Sequence, residues 1–175
     1  MADVLAFARR ELFDPLGMRR ATLEFDATGT PLGSGFMLAS ARDWARLGLL
    51  YLDDGVVAGR RILPRGWVGY SSGRHQMPGS AMGRASGPIS MRATAPRTGW
   101  ARACRATSFF GRGKFGQYII VVPSARLVVV RLGVTHGWED IDGVSRLTAN
   151  VIGALDRHSA GMSSRDAAPP THLRQ

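Results

Sequence analysis

The sequence predicts an α+β fold, with an antiparallel β-hairpin packed on a C-terminal helix and a second helix in a separate layer. Three features carry this expectation. Phe115 to Val122 and Leu127 to Val134 are apolar, β-branched runs separated only by Pro123-Ser124-Ala125-Arg126, the pattern of a hairpin with largely buried strands. Ile141, Val144, Leu147, Thr148, Val151, Ile152 and Leu155 then recur at helical spacing. Ser40, with Asp43 three residues on, resembles a capping box at the head of a third periodic segment.

From the start of the chain, Asp3 to Phe13 reads as a helix with Asp3 as N-cap, its Val4, Leu5, Ala8 and Leu12 on one stripe and Asp14-Pro15 as its stop. Between Arg19 and Leu32, Asp26, Gly29 and Pro31 break the apolar fragments, which predicts a surface excursion. Gly33-Ser34-Gly35 leads into the capped helix. Ala41, Trp44, Ala45, Leu47, Gly48, Tyr51 and Leu52 form its face, with Trp44 expected in the core, and Asp53-Asp54-Gly55 ends it. Pro64 suits the first turn of a short helix carrying Trp67 and Val68. Glu139 and Asp140 sit where a helix N-terminus favours acids, and Arg157 and His158 close that last helix. With 175 residues the chain has room for one domain, placed at 1–158, and the Ser, Ala, Pro and Arg of 159–175 read as a disordered tail.

The net charge of +10 is unevenly placed. Ser71 to Thr107 holds six arginines and no acid, and without it 17 basic residues face 13 acids. That stretch has neither periodicity and reads as a long irregular loop. Its edges are abrupt, and acid-free, Arg-, Ala- and Gly-rich composition is what an out-of-frame reading of a GC-rich gene gives. Lys114 is the only lysine, a bias that points to coding composition more than to a phosphate-binding surface. One cysteine, Cys104, excludes an internal disulfide, and four scattered histidines do not suggest zinc. No cofactor is expected. No apolar run approaches the roughly 20 residues of a membrane span, and Asp3 stands where a signal peptide would carry bases, so a chain made as given is expected in the cytoplasm.

Five blocks then carry a family resemblance. Ala8-Arg9-Arg10-Glu11-Leu12-Phe13-Asp14-Pro15-Leu16-Gly17-Met18 comes first, followed by Phe36-Met37-Leu38-Ala39-Ser40-Ala41-Arg42-Asp43-Trp44-Ala45-Arg46-Leu47-Gly48-Leu49-Leu50. Asp54-Gly55 through Gly59-Arg60-Arg61-Ile62-Leu63-Pro64 and Gly66-Trp67-Val68 keep the register. Phe109 to Tyr118, then Val122-Pro123 and Leu127 to Gly133, complete it. In this order they resemble the class C β-lactamase-related serine hydrolases, a family that includes β-lactamases, D-alanyl-D-alanine carboxypeptidases, esterases and 6-aminohexanoate-dimer hydrolases.

The resemblance implies a β-lactamase/transpeptidase-like fragment and acyl transfer through a serine ester on an amide, ester or lactam bond. The family's Ser-x-x-Lys pair supplies nucleophile and base, and its Tyr-x-Asn element a second proton relay. Neither is present: position 111, three before the sole lysine, is Gly111, and the only asparagine is Asn150. Both elements lie upstream in the family, so this chain is expected to be inactive alone and to meet a small amide or ester substrate only with that missing half. The family's third box, a strand that lends a backbone N–H to the oxyanion, corresponds to about Ser108 to Gly113. Phe109, Phe110 and Gly111 are therefore the candidate oxyanion stretch, with core packing as the alternative for the two phenylalanines. Lys114-Phe115-Gly116 mimics a Lys-Thr-Gly spelling a few residues late; Lys114 is a candidate catalytic residue or a solvated lysine at a strand start.

Few further strands are visible, so the hairpin is expected to self-associate through an exposed edge or to need another chain. Two other readings stand beside the hydrolase fragment. One is a partner-dependent pseudo-hydrolase; the other is a basic module that uses 71–107 on nucleic acid or an anionic surface, although interleaved aromatics and RGG-type repeats are absent.

Overall fold

The computed structural model describes residues 2–32, 37–72, 91–93, 108–135 and 141–166. Helix α1 spans Ala2–Ala8 and widens into a π-helical turn, Arg9–Phe13. Asp3 thus lies within the helix, one residue past its start. The i→i+5 bonds Asp14 N–H to the Arg9 carbonyl and Met18 N–H to that of Phe13, both 2.8 Å, accompany the burial of Phe13 just ahead of Pro15. The 19–32 stretch is more than a surface excursion: Ala21 is buried, and β1, Thr22–Leu23, pairs with β2, Met37–Leu38. Asp26 accepts the N–H groups of Thr28 and Thr30 in the intervening turn.

Helix α2, Ala41–Leu52, forms as its cap predicts, with Ser40 Oγ accepting the Asp43 N–H. Its buried face differs from the expected one. Leu47 and Gly48 are inside, Ala41 is exposed, and Leu50 is fully buried. The helix is packed on two sides, so one stripe cannot describe it. Gly48 touches Val128 and Ile119, while Asp43, Leu47 and Leu50, spaced i, i+4, i+7, share a buried stripe whose Asp43 accepts the Arg20 N–H. Trp44 is half-buried against the same cluster. Asp54 and Gly55, both at positive φ, end the helix.

A two-residue hairpin joins β3, Val56–Val57, to β4, Arg60–Arg61; Ala58 and Gly59 both take positive φ, the type I′ requirement. Alanine is a poor signal for that turn, which hid it in the sequence. Helix α3 is Trp67–Ser71, so Pro64 stands ahead of the helix and accepts the Trp67 N–H in a turn.

The central sheet has four antiparallel strands in the order β5 (Met91–Ala93), β6 (Phe109–Gly113), β7 (Gln117–Val122) and β8 (Leu127–Arg131). The hairpin of β7 and β8 is the expected one, trimmed to 117–122 and 127–131. Two further strands correct the expected shortage, and β5 lies inside the stretch read as a loop; the rest of 73–107 lies outside the described residues. Alternation on β7 is two-sided. Ile119 and Val121 pack with α2, whereas Tyr118, Ile120 and Val122 pack with Val144 and Ile152 of α4, Ile141–Asp166. Burial on both faces is why this strand reads as an unbroken apolar run.

Helix α4 continues to Asp166, beyond the expected end at His158, so 159–166 is helical and not tail. Its Ala, Met and Ser carry no proline, and Ser159 Oγ bonds back to the Leu155 carbonyl at 3.0 Å. Glu139, Asp140 and 167–175 fall outside the described residues. Among the described residues no helix is long and apolar enough to cross a membrane.

Candidate functional site

The candidate residues follow one another along β6 and the turn after it. Phe109 is fully buried on the α2 face, its ring 6.2 Å from that of Tyr51. Phe110 points to the α4 face, 6.0 Å from the Tyr118 ring. Both phenylalanines are core residues. Gly111 pairs with Ile119 on one side and Met91 on the other. The backbone of Phe109–Gly111 therefore runs between two ladders, directed at β5 or β7. Among the described residues β5 pairs with Phe109–Gly111, and β6 continues to Gly113 against β7.

Lys114 lies four residues past Phe110, so the structure does not bring the candidates to one point. It is exposed, in the 3-10 turn Lys114–Gly116 between β6 and β7, with its ammonium 5.0 Å from the centre of the Phe115 ring. It begins no strand. Its carbonyl accepts from Gln117 Nε2 at 3.2 Å.

Distant residues hold this turn. Phe115 takes φ 60° and ψ 33°, left-handed values that cost an ordinary side chain about 1–2 kcal/mol. The Phe115 carbonyl accepts the Thr135 N–H at 2.9 Å, the Gly116 carbonyl accepts Arg131 Nη1, and Arg131 Nη2 donates to Thr135 Oγ1 at 2.7 Å. A side chain at Gly116 would be strained: its φ is 77°, and a Cβ would stand 2.9 Å from Arg131 Nη1. Sequence reasoning did not find this latch, because nothing local ties Arg131 to a carbonyl fifteen residues earlier.

One buried carboxylate was legible only as a cap. Asp43 is 2% exposed and accepts Arg46 Nη1 at 2.7 Å, Ser40 Oγ at 2.9 Å and the Arg20 N–H at 3.1 Å. Burial pushes its pKa up, but the bonds from Ser40, Arg20 and Arg46 together outweigh this and hold it below the usual 3.8. Its neighbours make it a staple between α2 and the N-terminal segment.

An open cleft of about 460 Å³ is lined by Tyr51, Leu52, Asp54, Val68, Pro123 and two glycines. Pro123 follows the far end of β7, six residues and about 20 Å from the Lys114 turn, so the cleft and the candidate turn are separate places. Among the described residues no three His, Cys, Asp or Glu side chains gather as a metal site.

Two helices covering a four-stranded antiparallel sheet, with a constrained turn after β6, give the fold of a β-lactamase-like hydrolase, and the chain resembles those serine hydrolases. Over 50 residues, 29% of this chain and 13% of the relative, it is 44% identical to the 6-aminohexanoate-dimer hydrolase of Paenarthrobacter ureafaciens. Its fold matches that of the "Putative 6-aminohexanoate-dimer hydrolase from Bacillus anthracis" with a TM-score of 0.62 and 22% identity, over 86% of this chain and 38% of that one. The chain thus spans well under half of that structural relative. No protein-family model matches it. Neither relative, nor any described residue, supports the nucleic-acid reading.

Proposed function

We propose that this chain is the sheet-bearing part of a serine hydrolase that cleaves amide bonds of short 6-aminohexanoate-type oligomers, or simple esters, through an acyl-enzyme. The observation that carries the reading is the 44% identity over 50 residues to a hydrolase named for that substrate. In such chemistry a serine oxygen attacks the carbonyl carbon, the amine leaves with a proton, and water later cleaves the ester formed. The chain holds neither Ser-x-x-Lys nor Tyr-x-Asn, so it is inactive alone.

Its own contribution is the wall beside the reacting carbonyl. The end of β6 at Gly113 and the backbone of Lys114 lie beside the oxyanion, with Phe109, Phe110 and Gly111 fixing the strand behind them. The side chain of Lys114, exposed beside Phe115, contacts substrate and takes no part in proton transfer.

The test is hydrolysis of the linear 6-aminohexanoate dimer and of p-nitrophenyl acetate, with labelling by a fluorophosphonate. The chain alone should show no turnover and no labelled serine. Grafting it in place of the corresponding part of the Paenarthrobacter ureafaciens enzyme should restore turnover. A labelled serine in the isolated chain, or an inert graft that folds, would overturn the reading.

A further inference from the structure

Among the described residues Asp54, Ala58, Phe115 and Arg126 take positive φ without being glycine. Asp54 ends a helix, Ala58 sits in a two-residue hairpin turn, and Arg126 closes a turn on the Pro123 carbonyl. Each of these is explained by its own neighbours. Phe115 differs, because a side chain from another strand holds its turn. Backbone strain persists only where the surroundings over-determine it, and it gathers where the strained shape is used.

The outside support converges on one guanidinium. Arg131 Nη1 donates to the Gly116 carbonyl and Nη2 to Thr135 Oγ1, while the Thr135 N–H holds the Phe115 carbonyl. The planar fork engages both acceptors at once, which an ammonium on a flexible stem does not reproduce. Two glycines make room for it: a Cβ at Gly116 would stand 2.9 Å from Nη1, and one at Gly133 3.6 Å from Cζ. With the Lys114 carbonyl taken by Gln117 Nε2, every carbonyl of the turn has a partner within the chain. The direction of each peptide plane is thereby fixed.

We propose that Arg131 is a positioning residue for acyl transfer: acting through Gly116 and Thr135, it holds the backbone of Lys114 beside the oxyanion. This role rests on the hydrolase reading given above. Arg131 is spent on the turn and meets no substrate itself. An oxyanion gains its charge only on the way to the transition state, so a backbone displaced from it costs turnover and leaves ground-state binding in place. A misplacement of about 1 Å at such a point costs on the order of a hundredfold. Loss of Arg131 should therefore show in kcat and not in KM.

The test uses the whole chain and its graft into the Paenarthrobacter ureafaciens enzyme. In the whole chain, Arg131→Met should speed backbone hydrogen exchange at 115–117 about tenfold. In the graft acting on the linear 6-aminohexanoate dimer, the same change should lower kcat about tenfold or more with KM near its original value. Arg131→Lys keeps the charge but not the fork, and should recover only part of the loss. Thr135→Val removes one acceptor at constant shape and should lower kcat by a smaller factor, whereas Thr135→Ser keeps the hydroxyl and the rate. An active graft whose kcat is indifferent to Arg131→Met overturns this proposal alone, as does a rise in KM in place of the fall in kcat. So does a Thr135→Ser graft as slow as Thr135→Val. A folded but inert graft overturns the hydrolase reading and this role with it. If Arg131→Met lowers the thermal midpoint of the graft, the two Thr135 variants decide.

Discussion

The two faces of the central sheet are buried in different ways. On the α2 face, ten buried residues from the N-terminal segment, α2, α3, β6 and β7 form one cluster, with Phe13, Met18, Leu50, Phe109 and Val121 at 1% exposure or less. On the α4 face the cluster has six buried residues. There the helix brings Ser145 and Thr148 inside beside Val144 and Ile152 and leaves Leu147 and Leu155 nearly half exposed. The first face gathers elements distant in sequence around close-packed aliphatic and aromatic side chains. The second rests one long helix on the sheet with hydroxyls in its seam. Cohesion of the described fold should accordingly reside on the α2 side.

Truncation on the two faces breaks or sharpens that contrast most directly. Phe109→Ala should cost about 4 kcal/mol in urea unfolding, and Phe110→Ala, on the thinner face, measurably less. Equal losses would show the faces to be equivalent. Next in size is Gly48→Val, whose Cβ would come 2.5 Å from Val128 Cγ1 and 3.2 Å from Ile119 Cγ2. Overpacking of this kind costs about 3 kcal/mol, read as a lower thermal midpoint; an unchanged midpoint would mean that β8 yields freely under α2.

The smallest expected effect is at Asp43, which joins the α2 face to the N-terminal segment. Asp43→Asn keeps the shape but weakens the bonds to Arg46 and Arg20, for about 2 kcal/mol at neutral pH. Because the folded-state pKa is lowered, its stabilisation is present above about 3.8 and is lost as pH falls through the still lower folded value. Acid titration of unfolding should therefore show a steeper fall below about pH 4 in the unaltered chain than in the variant. Parallel titrations would remove Asp43 from the contrast.

What could be read in the sequence was what local pattern determines. Helix α2 was legible because Ser40 and Asp43 meet within one turn, and β7 and β8 because burial on both faces leaves unbroken aliphatic runs. The rest depends on partners far along the chain. β6 is Phe-Phe-Gly-Arg-Gly, and β5 is Met-Arg-Ala; each becomes a strand by lying beside its neighbour and not by propensity. The identity of Leu50 as core followed from a second packing surface that a single helical stripe does not encode. The candidate stretch Phe109–Gly111 was named by resemblance, but the shape of the turn after it was not legible. A phenylalanine at positive φ has no local signal, and its support comes from Arg131 and Thr135.

That support ties the turn to a strand distant in sequence. Arg131 reaches the Gly116 carbonyl only when β8 is aligned on β7, since it stands opposite Tyr118 in their ladder. The shape of the turn bearing Lys114 thus depends on the pairing of the hairpin, and fraying at the end of β8 would release it. Its opening is therefore coupled to the strand that fastens it, and not governed by its own few residues alone.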